Sequence, residues 1–459
     1  MDLSTGIFVH RKTDLYVDGA IPIALTRTYR SGDSGARPFG IGSSHPYQIF
    51  LSATAPYQEA SLILADGSAI RYVRTSPGTD VLGAVFEHVG TPTAFYGSTL
   101  TGAAAWMLAT TDGVVYQLAA NAPLQRIDDH FARVVEVLRD GAAQTGVVTR
   151  VVSPTQIISP NDRWIIFAYD ALNRIVQTRD TLGRIIAYSY DAAGRLASVT
   201  DAEGGITRYT YDGQHRMLTI RDPRGTVSLT NEYDAAGRVI RQALADLTEY
   251  RFAYSLDPSG KVVRTDVTDP RGVVRRVTFD ARGYRVSDTR ALGAPIEQTT
   301  TYERAVSGLV LSVTDPLGRR TAFTRDTKGN ITSVTRLAGS AQAATTSLSY
   351  APTGGAGVRR IASITDPLGQ VTSFAYDSGG YPAQVTDPLG GRTSVAGLGG
   401  MLWGLADGLG NGTELRRDNA VDVAAATDPL RAGDRARPRR GRAPGLPDQS
   451  PGEASRLCV

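Results

Sequence analysis

The sequence predicts an all-β protein: a curled or spiral sheet of tandem hairpin repeats with a β-rich N-terminal cap. Three observations predict it. A two-part motif repeats along more than half of the chain, each part begins with a turn signal, and the segments between turns have strand composition. No window carries a sustained apolar period of about 3.6 residues, which a surface helix would need.

The repeat has two alternating parts between Ile165 and Leu430. The first part ends in Tyr-Asp, and the second ends in Thr-Asp-Pro-Leu-Gly or a close relative. The leading aspartates keep one register, since Asp170 to Asp180 is 10 residues and Asp180 to Asp191 is 11. The tyrosines of the first part are Tyr169, Tyr190, Tyr211, Tyr233 and Tyr376, and the aspartates of the second are Asp180, Asp201, Asp222, Asp269, Asp315, Asp366 and Asp387.

Each aspartate is predicted to start a turn. In Asp-x-x-Gly the carboxylate can accept hydrogen bonds from amides two or three residues on. Glycine supplies the left-handed conformation that closes a short hairpin with a bulge. Asn173 and His215 replace the glycine in two units, and both residue types tolerate positive φ. The segments between turns, such as Arg184 to Tyr190, are short and rich in β-branched and aromatic residues.

A single hairpin of this kind cannot bury its apolar face. Neighbouring hairpins must therefore pair edge to edge into one long sheet. A sheet of so many strands twists and cannot stay flat, so we expect it to curl around an interior. A sheet that curls around an interior can enclose another molecule. The repeat therefore suggests a function as a container.

The repeat resembles that of the RHS/YD-repeat family, whose signature is close to Tyr-Asp-x-x-Gly-Arg-Leu followed by Thr-Asp-Pro-Leu-Gly. Residues 190–196 and 233–239 match it almost fully. The resemblance implies a hollow β-shell, in which bacterial members enclose a C-terminal toxin and which animal relatives, the teneurin-like proteins, use for cell adhesion. It predicts a non-catalytic structural scaffold, a fragment of a polymorphic-toxin or cell-surface protein, secreted or at the cell surface.

Three regions are predicted. Residues 1–160 lack the repeat register, and Ser4 to Tyr47 resembles the domain that commonly precedes RHS arrays, with Ser43 where tryptophan usually follows Gly-x-Gly. We expect this β-rich region to cap the open edge of the sheet. Residues 165–430 hold the repeats, degenerate from about 391, and 431–459 form a disordered Arg/Pro/Gly-rich tail. Nothing matches the family's C-terminal core and toxin, so we expect a truncated shell whose cargo is absent.

The charge pattern gives no case for a nucleic-acid partner. The seven arginines and three acidic residues of 431–459 account for the whole formal net charge of +4. Binding to nucleic acid needs cations clustered on a folded face. No apolar run of about 18 residues predicts a membrane span, and the N-terminus shows no signal peptide. Cys458 is the only cysteine, which excludes an intrachain disulfide.

No catalytic, cofactor or metal site is predicted, and we expect no enzyme activity. The spacing of the histidines does not suit a metal, and a solvated loop is the preferred interpretation of Asp128-Asp129-His130, the one cluster of acid and imidazole. Gly397 to Gly400 and Gly408 to Gly410 do not complete a nucleotide-binding pattern. The histidines are His10, His45, His88, His130 and His215.

The repeat tyrosines leave one alternative open. Exposed aromatic rings can stack on sugars, so the alternative function is a carbohydrate-binding adhesion protein of the cell surface. Packing of the rings along the sheet is the preferred interpretation. The expected partners are a toxin cargo or a secretion-system component encoded elsewhere, with surface glycans under the alternative.

Overall fold

The computed structural model describes residues 1–18, 21–103, 105–119, 123–129, 134–140, 148–153, 163–351, 360–377, 380–398, 401–417 and 423–427. Over these residues the chain forms strands, turns and loops and contains no helix, so the all-β prediction is confirmed. Consequently, this part of the chain has no helix that is long and apolar enough to cross a membrane.

The strands are numbered in chain order. Strands β1 to β15 are Val9–Val17, Ile23–Arg30, Ala36–Arg37, Gly40–Ile41, Ser43–Ser44, Phe50–Ala53, Glu59–Ile63, Ala69–Arg74, Val85–Glu87, Thr99–Thr101, Trp106–Ala109, Val115–Leu118, Leu124–Asp128, Val134–Arg139 and Val148–Ser153. Strands β16 to β27 are Arg163–Tyr169, Ile175–Asp180, Ile185–Tyr190, Leu196–Thr200, Ile206–Tyr211, Met217–Arg221, Val227–Tyr233, Val239–Leu244, Glu249–Leu256, Val262–Thr268, Val274–Phe279 and Arg285–Arg290. Strands β28 to β39 are Gln298–Arg304, Val310–Thr314, Arg320–Arg325, Ile331–Arg336, Ala344–Ala351, Arg360–Thr365, Val371–Tyr376, Pro382–Thr386, Arg392–Leu398, Met401–Ala406, Gly412–Arg417 and Val423–Thr427.

Strands β6 to β39 form one continuous antiparallel ribbon, in which successive strands pair with each other. The predicted curled sheet of hairpin repeats is confirmed. A bridge between Phe50 and Pro123 brings β6 back beside the start of β13. Outside the ribbon, β1, β2 and β5 form a three-stranded sheet, and β3 pairs with β4.

The repeats continue directly from the strands that precede them. Strand β15 pairs with β16 across the predicted boundary near residue 160. The two regions, residues 1–160 and 165–430, thus share one sheet. Their division into separate domains stays a prediction. The predicted tail, residues 431–459, lies outside the described residues.

Asp191 illustrates how the turns are held. Its Oδ1 accepts the amide hydrogens of Ala193 at 3.0 Å and Arg195 at 2.9 Å, while Gly194 donates its amide hydrogen to the Asp191 main-chain carbonyl. The carboxylate thus binds amides two and four residues on, whereas the sequence predicted two or three, because the third amide closes the backbone turn. A β-bulge at the preceding tyrosine, Tyr190, completes the hairpin end.

The glycine slot of the turn has the predicted backbone conformation. Gly194 has a φ of 82°, and the two residues that replace glycine, Asn173 and His215, have φ of 58° and 64°. Only glycine and a few tolerant residue types adopt such values readily. The interpretation of the motif as a turn signal is therefore confirmed.

One face of the ribbon carries the repeat tyrosines and is called the inner face below. Residues 1–48, called the N-terminal segment, pack on the inner face from β13 to β25 and form the larger core with it. A second, smaller core lies among β6 to β12. The expected N-terminal cap thus covers a sheet face rather than an open edge, because the apolar face offers more surface to bury.

Candidate functional site

Each of several repeat tyrosines is bound to the hairpin that precedes it. The hydroxyl of Tyr211 donates to the carbonyl of Leu196 at 2.9 Å, and the guanidinium of Arg195 lies 5.2 Å from the ring centroid. Arg195 also pairs with Asp191 at 2.7 Å in its own turn. An Asp–Arg–Tyr chain therefore joins one hairpin to the next. The same hydroxyl bond and arginine contact occur at Tyr190, Tyr233, Tyr254 and Tyr376.

These contacts bear on the two interpretations of the tyrosines, packing along the sheet and stacking on sugars. Their hydroxyls are used by backbone carbonyls and their ring faces by arginines. Burial raises the pKa of Tyr233 well above its ordinary value. A sugar-stacking platform needs a free ring face, so the geometry favours packing along the sheet.

The role of the arginine was not predicted. The sequence does carry a signal for it, since arginine follows the turn slot at Arg174, Arg184, Arg195, Arg216 and Arg238, always four residues after the aspartate. In the structure each of these arginines pairs with that aspartate. Fixed spacing between opposite charges at a turn could have indicated an ion pair.

A buried ion pair fastens the N-terminal segment to the ribbon. Arg27 and Asp14 are joined at 3.0 Å, and their side chains are 1% and 3% exposed. Tyr188 donates its hydroxyl to Asp14 at 3.1 Å, and Arg27 donates to the Tyr209 hydroxyl at 3.2 Å. Charges removed from water need such partners, so this network fixes the position of the segment on the inner face.

Main-chain contacts extend this attachment along the ribbon. The hydroxyl of Tyr29 bridges the repeats, since it donates to the His215 carbonyl at 2.7 Å and accepts the Met217 amide at 2.9 Å. Further bonds to the segment are Ile175 N to Pro38 O, Ile41 N to Gly194 O, Val239 N to Gly6 O and Thr265 Oγ1 to Leu3 O. The segment therefore follows the ribbon from β17 to β25.

The inner face changes character after β26. Val277 is the last buried hydrophobic side chain among the described residues. Beyond it the inner face continues with apolar side chains that are only half-buried, and they are Val313, Phe323, Val334, Leu348, Ile364, Phe374, Val385 and Val395. We call β13 to β25, which the N-terminal segment covers, the filled half and β28 to β38 the open half. The open half is the candidate binding surface.

The structure does not bring the histidines together. His45 is buried against Phe167, with ring centroids 5.5 Å apart, and burial lowers its pKa to about 3, with a further contribution from Arg139. His88 binds the Arg71 carbonyl at 2.7 Å, and His10 lies 6.0 Å from the Tyr209 ring. Among the residues described, no cluster of histidine, cysteine and acidic side chains could hold a metal ion.

The acid–histidine cluster and the two glycine-rich stretches singled out in the sequence form no site among the described residues. Asp128 pairs with Arg126 at 2.5 Å, and His130 lies outside the described residues. Gly397 lies within β36, and Gly410, with a φ of 85°, closes an aspartate turn begun by Asp407. Gly399 and Gly400 are outside the described residues. Asp407 to Gly410 is thus another turn of the repeat.

These features define a class: a tandem β-hairpin repeat protein whose ribbon carries its own N-terminal segment on the inner face. The sequence profile of the RHS repeat matches residues 169–206, 190–227, 306–341 and 360–392. A domain of unknown function, DUF6531, matches residues 1–72. The chain therefore carries RHS repeats, as the Tyr-Asp and Asp-Pro-Leu-Gly motifs predicted.

Solved structures that resemble the chain include components of toxin complexes. The crystal structure of TcdB2–TccC3 without its hypervariable C-terminal region is 11% identical over 92% of this chain and 24% of that chain, with a TM-score of 0.38. The Tc holotoxin pore of Photorhabdus luminescens is 12% identical over 91% and 26%, with a TM-score of 0.33. The chain thus spans about a quarter of their length. No curated protein is similar enough to count as a match.

Proposed function

We propose that the chain is a non-catalytic shell of the RHS type, whose open half holds a polypeptide partner such as a toxin cargo. The chain would act outside the cell or at its surface, with the cargo encoded separately or in a longer form of the gene. The ribbon supplies the wall, and the N-terminal segment occupies the filled half.

The observation that carries this proposal is the contrast between the two halves of the inner face. In the filled half the apolar side chains are covered by a segment with buried Leu15, Val17, Ile23 and Leu25. In the open half the same side of the ribbon carries half-buried apolar side chains that alternate with threonines such as Thr321, Thr372 and Thr393. Rows of apolar side chains that water still reaches are unfavourable and are typical of an interaction site.

The partner's chemistry follows from the segment that already occupies the filled half. That segment contributes β-branched, leucine and aromatic side chains and main-chain carbonyls that accept hydrogen bonds from the ribbon. An extended polypeptide with apolar side chains would make equivalent contacts on the open half. The glycan alternative gains no support, because the repeat tyrosines are already bound by carbonyls and arginines.

Site-specific photo-crosslinking tests the proposal. A photoreactive amino acid replaces Phe374, which lies on the inner face, or its neighbour Ser373, which lies exposed on the opposite face. The chain is expressed from its own locus with the adjacent genes, and crosslinked products are identified by mass spectrometry.

We expect Phe374 to crosslink to one polypeptide from the same locus and Ser373 to give no such product. Equal crosslinking at both positions would mean that the inner face is not selective. The absence of any locus-encoded product at Phe374 would contradict the proposed function.

A further inference from the structure

One stretch of the inner face carries charged side chains where other hairpins are neutral. The position that faces the inner-face residue of the preceding strand is apolar at Val199, Ile220, Val313, Val334, Ile364 and Val385. It is polar but neutral at Thr178, Gln242 and Thr265. In β27 this position, facing Val277, holds the carboxylate of Asp288.

Two arginines accompany this aspartate. The fifth position after the aspartate that starts the turn holds Leu196, Met217 or Val239 in other hairpins and Arg285 in β27, where Tyr284 takes the place of the turn arginine. The position facing the valine or isoleucine of the preceding strand is threonine at Thr321, Thr372 and Thr393 but arginine at Arg275. Charges on an inner face cost desolvation free energy unless they are paired, so this cluster requires an explanation.

Ion pairing within the cluster neutralises only part of its positive charge. Asp288, whose side chain is 7% exposed, accepts two bonds from Arg275 at 2.8 and 2.6 Å and one from Arg285 at 2.9 Å. Arg290 also lines the cluster, and it makes no ion pair or side-chain hydrogen bond with any residue that the structure describes. Three guanidinium groups against one carboxylate leave two positive charges in excess.

The cluster surrounds a pocket of about 440 Å³, whose other walls include Gln298 and Tyr302. Tyr302 differs from the repeat tyrosines, because its hydroxyl makes no hydrogen bond among the described residues. The carbonyl of Arg285, which corresponds to the acceptor in other repeats, is bound instead by Arg304 Nε at 3.2 Å. The side-chain amide of Gln298 likewise makes no hydrogen bond with any described residue. Two polar groups, this amide and the Tyr302 hydroxyl, therefore remain available beside the arginines.

Nearby acidic groups do not neutralise the pocket. Glu297 accepts the amide hydrogen of Gly293, and Asp280 is engaged in its own turn with Arg282 and Tyr284. Burial by itself would raise the pKa of Asp288, but the hydrogen bonds from Arg275 and the charges of the arginines lower it, so this carboxylate is ionised and already saturated. The excess charge remains.

We propose that this pocket binds an oxyanion, a phosphate or carboxylate group held between Arg285 and Arg290. Guanidinium groups match the planar or tetrahedral edges of such groups with paired, charge-assisted hydrogen bonds. Gln298 and Tyr302 supply neutral donors at the wall of the pocket. The pocket is complete in the isolated chain and requires no enclosed polypeptide. A test of anion binding is therefore independent of a test of the shell function.

Isothermal titration calorimetry on the full chain at low ionic strength tests the proposal with pyrophosphate and citrate as probes. The variant Arg290→Gln removes the unpaired guanidinium. Arg336→Gln is its matched control, because Arg336 is exposed, ends β31 and faces Ala344 just as Arg290 ends β27 and faces Gln298. The turns that follow have the same backbone form, with φ of 51° at Ala291 and 52° at Leu337.

A second variant pair places a carboxylate at the facing position. Gln298→Glu adds a negative charge to the pocket wall, and Ala344→Glu adds the same charge at the equivalent position of the control hairpin. We expect Arg290→Gln to weaken binding about tenfold or more and Gln298→Glu to abolish it, whereas both control variants keep the parent affinity. Circular dichroism confirms that each variant is folded.

The outcomes are distinct. Binding of pyrophosphate alone supports a phosphate ligand, binding of citrate alone supports a carboxylate, and binding of both supports the shared oxyanion chemistry. Binding of neither probe by the parent chain overturns the proposal. Equal weakening by Arg290→Gln and Arg336→Gln also overturns it, because anions would then respond only to general positive charge.

Discussion

Two strand pairs of the ribbon carry the same residues in different surroundings. Phe252 faces Val267 between β24 and β25, and Phe374 faces Val385 between β34 and β35. The first pair is 5% and 3% exposed and belongs to the main core, whereas the second pair is only half-buried. The ribbon is built alike at both places, but the N-terminal segment covers only the first.

This difference shows that formation of the ribbon and burial of its inner face have different causes. The repeat motif by itself sets turns, strand pairing and the tyrosine contacts, and it does so in both halves. Burial of the inner face depends on a second segment that lies far away in the sequence. A ribbon of this kind can therefore be fully formed and still present an apolar face, which is what a wall around a partner requires.

The largest expected effect comes from the network that fastens the segment to the filled half. Arg27→Met leaves the Asp14 carboxylate buried without its counter-charge, and we expect the free energy of unfolding to fall by about 4 kcal/mol. Urea unfolding followed by circular dichroism measures it.

The matched control for Arg27 is the double variant Arg27→Met with Asp14→Leu. It removes both charges and should recover a large part of the loss, because no unpaired carboxylate remains. A single variant that loses less than about 1 kcal/mol would show that the segment is not held by this ion pair.

The next effect compares the two phenylalanines directly. Phe252→Ala opens a cavity in a covered core and should cost about 3 kcal/mol. Phe374→Ala removes a side chain that water already reaches and should cost about 1 kcal/mol. Unfolding of both variants under the same conditions gives the difference, and equal losses would mean that the two halves are packed alike.

A smaller loss of stability is expected when turn glycines at opposite ends of the strands are replaced. Gly308 has a φ of 83°, and an added Cβ there would lie 2.7 to 2.9 Å from Tyr284 and Pro92. Gly318 has a φ of 76° and no atom within 4 Å of an added Cβ. Both alanine variants lose about 1 kcal/mol to the backbone conformation.

Only Gly308→Ala adds a steric clash, so we expect it to lose about 2 kcal/mol in total. Thermal unfolding of the two variants measures the difference. A loss at Gly318→Ala that equals or exceeds the loss at Gly308→Ala would contradict the close contact of the Gly308 turn with Tyr284 and Pro92.

The last effect concerns pH and His45 in the filled half. Burial lowers the pKa of His45 from 6.5 to about 3 in the folded chain. The unfolded chain therefore binds the proton more strongly, and stability that is fully present above pH 6.5 is lost as the pH falls toward 3.

The loss from His45 is about 1.4 kcal/mol per pH unit at most. His45→Phe keeps an aromatic ring but cannot be protonated, so its unfolding midpoint should change less between pH 7 and pH 5 than that of the parent chain. Identical pH dependence in both proteins would show that His45 is not buried in the neutral form.

The repeat region could be predicted almost completely from the sequence. The spacing of Asp170, Asp180 and Asp191 fixed the turns, and the replacement of glycine by Asn173 and His215 indicated their backbone conformation. These predictions succeeded because the interactions are local: an aspartate, two amides and a left-handed residue lie within five positions. The arginine pairing was also local, and its fixed spacing was available although it was not used.

The candidate sites could not be predicted in the same way. The contact of Arg27 with Tyr209 joins residues 182 positions apart, and no periodic pattern points from one to the other. The arginine pocket does have a sequence signal, since Arg285 stands where the repeat normally places an apolar residue. Its meaning depends on knowing that Arg275, Asp288 and Arg290 share a face, which requires the strand register.

Cysteine accessibility tests the contrast between the two halves most directly. In a Cys458→Ser background, Val267→Cys and Val385→Cys place one thiol at the same position of the covered and uncovered pairs, and labelling by a maleimide is followed in the purified folded chain. Val385→Cys should react at least about a hundredfold faster, because Val267→Cys must wait for local opening of a packed core. Equal labelling rates at the two positions would contradict a filled half and an open half of the inner face.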